Sequence, residues 1–216
     1  GPVRLTASGL KSPQAVRNAS AIAFSVAAIV GAALAVAVNP WLLAVGALAI
    51  VAAVTYTGGP KPYGYIGLGE LMVLVFFGFV ATVGSAYVQH ETIPGIAWLG
   101  ALVVGLPACG ILLANNVRDV DTDATTGKRT LAVRLGAPRA RLAYVMCIAG
   151  ALLAVIAAAF LVPQVLLALV AAPLAIAPVR AMRTRHDPPG LVAALIGTAR
   201  FQLVLAALFA IGCWLG

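Results

Sequence analysis

Residues 96–123 read IAWLGALVVGLPACGILLANNVRDVDTD. Positions 96–114 carry no charged side chain, and Asn115 to Asp123 then hold Arg118, Asp119, Asp121 and Asp123. About 20 apolar residues in succession are long enough to cross the hydrocarbon core of a bilayer. Backbone in lipid must satisfy its own hydrogen bonds, so such a run is helical. The stretch therefore reads as a transmembrane helix whose polar end emerges at one membrane face, bearing three of the six acids of the 216-residue chain.

Working outward, the same pattern recurs. Apolar runs cover roughly 18–38, 41–57, 71–88, 96–114, 143–162, 164–180 and 191–215, which makes about seven spans, the second and sixth being the shortest. Asn39-Pro40 and Val162-Pro163 break two long runs into tight helical hairpins. Hydrophobic residues make up 62% of the chain and charged ones 9%, whereas a soluble domain is about 25% charged. The fold class is all-α, a polytopic transmembrane bundle. Glycine is frequent, at 22 residues, as expected where helices pack closely in lipid.

A net charge of +8 raises the question of nucleic acid. The bases form no single patch; they occupy short gaps between apolar runs, so membrane topology explains them and no nucleic-acid partner is expected. Arg4, Lys11 and Arg17 precede the first run, and Lys61 lies in the second connection. Arg118, Lys128, Arg129, Arg134, Arg139 and Arg141 lie in or border the fourth, with Arg180, Arg183 and Arg185 at the sixth. Thus 13 of 14 bases fall on one side, which the positive-inside rule makes cytoplasmic. The exception, Arg200, lies roughly 13 Å into the last run. It either snorkels to the interface or faces a polar cavity. Cys109, Cys147 and Cys213 lie inside apolar runs without metal-ligand spacing and read as packing residues.

Chemistry concentrates at the acid cluster. If the helix continues through it, Asn116, Asp119 and Asp123 share one face, Asn115 borders that face, and Asp121 points away. Two carboxylates and an amide oxygen suit Mg²⁺, which completes its shell with water and phosphate oxygens. Lys128 and Arg129 follow immediately and can meet the charge of a phosphate group. The bland alternative is a solvated loop marking the membrane edge, but a helix C-terminus disfavours acids. A calcium loop is discounted because its glycine and closing glutamate positions are Ala124 and Thr130. On the same side, YTGGPKPYGYIGLGE at 56–70 forms a turn-rich connection whose tyrosines and Lys61 could bind an anion or simply form an aromatic belt. Glu70 opens the third run, where the helix dipole favours an acid, and reads as structural. A thin internal repeat sets Arg4 and Pro13 against Arg129 and Pro138.

Residues 115–136, NNVRDVDTDATTGKRTLAVRLG, resemble the second Asp-rich motif of the UbiA superfamily of intramembrane aromatic prenyltransferases, within its menaquinone branch. Residues 56–70 look like that branch's loop between its fourth and fifth helices, and GPVRLTASGL at 1–10 also looks familial. The resemblance covers essentially the whole chain and implies a nine-helix fold with two Asp-rich motifs. The chain begins at Gly1 in a polar stretch, so the expectation is a single transmembrane domain over 1–216 that lacks the first two helices and the first motif.

The implied activity is transfer of a polyprenyl group from polyprenyl diphosphate to 1,4-dihydroxy-2-naphthoate with decarboxylation, giving demethylmenaquinone. The site would lie on the cytoplasmic face of a bacterial inner membrane. Asp119 and Asp123 would be the catalytic pair, holding Mg²⁺ with Asn116 or Asn115; Lys128, Arg129, Lys61, Tyr56 and Arg134 would bind the diphosphate. An acceptor such as 4-hydroxybenzoate or homogentisate is the nearest alternative. A transporter or channel is a more distant one, weakened because no acid lies deep in a run.

Overall fold

The computed structural model describes residue 6 and residues 8–216. Arg4, the rest of 1–5 and residue 7 lie outside the described residues, and with them part of the proposed repeat and of the 1–10 resemblance. The described residues form helices and no strand: α1 Pro13–Ala37, α2 Leu42–Thr57, α3 Gly69–His90, α4 Gly95–Arg118, α5 Val120–Thr125, α6 Leu131–Leu135, α7 Ala137–Ala158, α8 Pro163–Thr184 and α9 Pro188–Leu215. The transmembrane helical bundle expected from composition is borne out. Six helices (α1, α3, α4, α7, α8 and α9) are long and apolar enough to cross a membrane. The second run, 41–57, forms α2, whose 16 residues rise only about 24 Å, short of a ~30 Å hydrocarbon core.

The chain divides into two compact units, Gly1–Thr55 and Tyr56–Gly216. In the first, Ser12 caps α1 by accepting the Ala15 N–H at 3.2 Å, and Pro13 occupies the first helical position, where no N–H is needed. Asn39-Pro40 ends α1, and the Asn39 side chain accepts the Trp41 N–H as the chain turns into α2.

The second unit holds the core, built by α4, α7, α8 and α9. Its closest crossings use glycine. A Cβ on Gly78 of α3 would lie 2.9 Å from the Ala101 carbonyl oxygen and 3.1 Å from the Gly105 Cα of α4. One on Gly212 of α9 would lie 2.6 Å from the Val165 Cα of α8. In lipid, where apolarity alone does not drive association, such approaches supply the packing. Two polar links, the first of them buried, add to it. Tyr144 of α7 meets Thr198 of α9 at 2.6 Å, and Gln202 of α9 donates to the Val104 carbonyl at 3.0 Å, one turn before Pro107 of α4. Arg141 closes the near end of α7 onto the last carbonyls of α8, donating to Met182 and, at 2.9 Å, to Arg185.

Two spans depart from the expected uniform α-helix. Leu74–Val80 of α3 is wound as a π-helix, and Pro163–Ala175 of α8 as a 3₁₀-helix. Pro163 and Pro173 both lack an N–H, and the looser rise of about 2.0 Å per residue lengthens a short run. Arg200 is exposed on α9, which favours snorkelling over a polar cavity.

Candidate active site

The polar end of α4 meets the 56–70 loop within the second unit. After α2 the chain makes a single 3₁₀ turn at Tyr63–Tyr65 and enters α3 at Gly69. The Tyr56 ring lies beneath this loop. A Cβ on Gly64 would approach the Tyr56 carbonyl oxygen to 2.7 Å and its ring to 2.8 Å, so only glycine fits there. Tyr56 and Tyr63 pack edge to face with centroids 5.4 Å apart. The Arg129 N–H donates to the Tyr65 carbonyl at 2.8 Å, and the Lys128 ammonium stands 5.6 Å from the Tyr65 ring centroid. Gly67, at φ +84°, lets the Arg134 side chain pass within 2.7 Å of where a Cβ would sit.

The acid cluster is bent rather than straight, which corrects the expectation of one continuous helix end. Asp119 joins α4 to α5 at φ −98°, ψ 8°. The helical bonds nevertheless run through the joint, Asp119 N–H to Asn115 and Asp123 N–H to Asp119. Adjacent residues on an ideal helix do not face one another. At this joint Arg118 and Asp119 do, in a two-pronged pair at 2.8 and 2.7 Å. The guanidinium holds the Asp119 carboxyl below the usual carboxylate range. One turn on, Gly127 at φ +75° ends α5, with the Lys128 N–H bonded to Asp123 and the Gly127 N–H to Ala124. That reversal returns the Lys128 ammonium to both Asp123 carboxylate oxygens, at 3.2 and 3.1 Å. Asp123 is 8% exposed, whereas Asp121 points outward to solvent.

Below this pair lies a contact the sequence reading did not anticipate. Asn116, 5% exposed, donates from Nδ2 to Oε1 of Glu70 at 2.9 Å. Glu70 is itself 7% exposed, and its Oε2 is the one buried side-chain polar atom among the described residues that lacks a partner. An acid that only stabilised the start of α3 would have no need of burial against another helix. Its sequence signal was its position, directly after the turn-rich loop and on the side of the Asp cluster.

Other expected site residues sit differently. Asn115 is a step round the helix from Asn116 and lines an apolar cavity of about 450 Å³ with Val73, Phe77, Ile111, Leu112 and Gln202. The two candidate amide ligands therefore stand in different surroundings. Arg129 and Arg134 form an exposed rim, with Arg134 Nε donating to the Arg129 carbonyl at 3.3 Å. Lys61 is exposed and forms no ion pair with a described acid.

Among the described residues no three His, Cys, Asp or Glu side chains converge as a ready-made metal cage. Mg²⁺ does not require one, since it binds through one or two carboxylates and keeps waters and phosphate oxygens. The oxygens of Asp119, Asp123 and Asn116, with the orphaned Glu70 oxygen behind them, fit that donor set. Carboxylates, cations and tyrosines gathered at the polar end of a helix, with Asn115 of that helix on the wall of an apolar cavity, suit a ligand with a multiply charged head and a hydrocarbon tail.

The model of the UbiA prenyltransferase family matches residues 2–195. The chain belongs to that family. It is 43% identical over 208 residues to a 1,4-dihydroxy-2-naphthoate octaprenyltransferase of Mycobacterium tuberculosis, covering 95% of this chain and 70% of that one. It is 37% identical over 225 residues to the protein of the same name in Escherichia coli, covering 100% of this chain and 73% of the relative. No solved structure matches. As a UbiA-family prenyltransferase with six long apolar helices, it is a multi-pass membrane protein.

Proposed function

We propose that this prenyltransferase moves a polyprenyl group from polyprenyl diphosphate to 1,4-dihydroxy-2-naphthoate, releasing diphosphate and CO₂. The observation that carries the reading is the pairing of buried Asp123 with Lys128 and the buried Asn116–Glu70 contact, with the neighbouring Asn115 on the wall of the 450 Å³ apolar cavity. The named relatives supply the acceptor.

Ionisation of the donor breaks its C1–O bond and leaves the electron pair on diphosphate. The ring carbon then forms the new carbon–carbon bond, and the carboxylate departs as CO₂, giving the quinol form of demethylmenaquinone. Asp119 and Asp123, with Asn116 or Asn115, would hold Mg²⁺, which when bound would supply positive charge to the leaving diphosphate. Lys128, with Arg129 and Arg134 at the rim, provides fixed cations for the same charge. Glu70 holds the Asn116 amide by its N–H, which leaves the amide oxygen turned away from Glu70 and free to accept. The cavity takes the first isoprene units, with Phe77 on its wall, and keeps water from the allylic cation. The bases on one side of the spans support a cytoplasmic site in a bacterial inner membrane.

The test supplies purified protein in lipid with radiolabelled polyprenyl diphosphate, Mg²⁺ and 1,4-dihydroxy-2-naphthoate. Label should enter a quinone-extractable product, and neither 4-hydroxybenzoate nor homogentisate should compete. Efficient labelling of either competitor would overturn the acceptor assignment. Label release without Mg²⁺ would overturn the metal.

A further inference from the structure

A second cavity, of about 620 Å³, lies away from the Asp cluster, between α7 and α8. Its walls are apolar, with Val145, Ile148 and Leu152 on α7 facing Ile176 and Val179 on α8. At one end it is closed by Arg180 and Arg183, three residues apart and so on one face of α8. The basic residues of this corner divide into two kinds. Arg141 is used internally, bonded to the carbonyls of Met182 and Arg185. Arg185 is bonded by both prongs to Asp187, the cap of α9. Arg180 and Arg183 are exposed and form no ion pair with any described acid, and they are the two that line the groove.

We propose that this groove is a binding site for an anionic phospholipid of the leaflet on the Asp-rich side, with an acyl chain between α7 and α8 and the phosphate on Arg180 and Arg183. Charge complementarity selects the occupant. Two unpaired guanidiniums at a membrane surface favour an anionic headgroup over a zwitterionic one, and a flared wall of branched aliphatics accepts an alkyl chain. Topology charge alone would not place the unpaired pair on the groove while its neighbours Arg141 and Arg185 are taken up by other groups of the protein.

The test places the purified protein in phosphatidylethanolamine vesicles doped with phosphatidylglycerol carrying a photoactivatable group on its acyl chain. Cross-links should map to residues 145–152 and 176–183. The R180Q/R183Q variant should lower that labelling roughly five- to thirtyfold, the scale of two surface cations acting on an anionic lipid. R139Q, an exposed base outside the groove, should leave it unchanged. Ala149→Trp fills the groove without touching charge and should lower it as well, which keeps the test decisive if the double variant fails to fold. Equal labelling by the phosphatidylcholine analogue, undiminished labelling of the folded variants, or displacement by polyprenyl diphosphate would each overturn the proposal. The last would make the groove a substrate subsite.

Discussion

Replacing Glu70 by alanine should change stability only modestly and yet sharply weaken Mg²⁺ dependence, and the contrast follows from its two oxygens. Oε1 accepts the Asn116 amide at 2.9 Å, and removing it leaves a buried donor unsatisfied, which costs about 1–3 kcal/mol. Oε2 is buried without a partner, which costs about 1–3 kcal/mol. The two effects oppose each other, so the net change on truncation should lie within about 2 kcal/mol of zero. Asn116, however, would lose the partner that fixes its amide. Loss of such a support typically weakens metal binding by about 10- to 100-fold. The assay is the initial rate of prenyl transfer against Mg²⁺ concentration, with thermal unfolding measured alongside. Half-saturation should rise by that factor in Glu70→Ala. Glu70→Gln keeps an acceptor for Asn116 and should recover most of it. An unchanged Mg²⁺ curve in Glu70→Ala would refute the positioning role. A glutamine variant as impaired as alanine would show that the charge itself, and not the hydrogen bond, is what the site uses.

Tyr144→Phe tests the core. Thr198 donates its single proton to the Ala194 carbonyl, so Tyr144 must be the donor in the 2.6 Å contact; its loss should cost about 1 kcal/mol, within the range seen for bonds between membrane helices, read as a lower Tm without loss of turnover. Gly64→Ala drives a methyl into the Tyr56 backbone, 2.7 Å away; the loop must shift, and transfer activity should fall although the spans still assemble by circular dichroism. Asp187 caps α9 through the Gly190 N–H and pairs with Arg185, and both hold its carboxyl below the ordinary value of 3.8. A depressed folded pKa gives stability that is fully present above the ordinary value and lost as pH falls below it. The Tm difference between wild type and Asp187→Ala should accordingly hold from neutral pH down to about 4 and shrink below it.

Much of the architecture was legible because lipid leaves the chain few choices. Runs of apolar residues gave the helices, and Asn39-Pro40 and Val162-Pro163 gave their breaks. The 3₁₀ winding of Pro163–Ala175 was not legible. A segment apolar on every side carries no stripe from which a period of 3.0 could be told from 3.6. At the site, the Asp cluster and Lys128 stood out by composition. The bend at Asp119 did not, since the pairing that accompanies it joins neighbours, Arg118 and Asp119, which do not face each other on a straight helix. Asn115 and Asn116 look equivalent in sequence, yet one step of rotation sends the first to the apolar cavity and the second to Glu70. The Glu70–Asn116 contact joins residues 46 apart, a distance that only the packing of α3 on α4 closes.

The reading rests on carboxylates at the end of α4 gripping a divalent ion against diphosphate. Equilibrium binding of a non-ionisable polyprenyl thiolodiphosphate reports that grip without requiring turnover. Binding should depend on Mg²⁺, vanish with chelator, and be lost in Asp119→Ala and Asp123→Ala while Asp121→Ala, whose side chain faces solvent, binds nearly as wild type. Binding that persists without Mg²⁺, or that falls equally in all three variants, would contradict it.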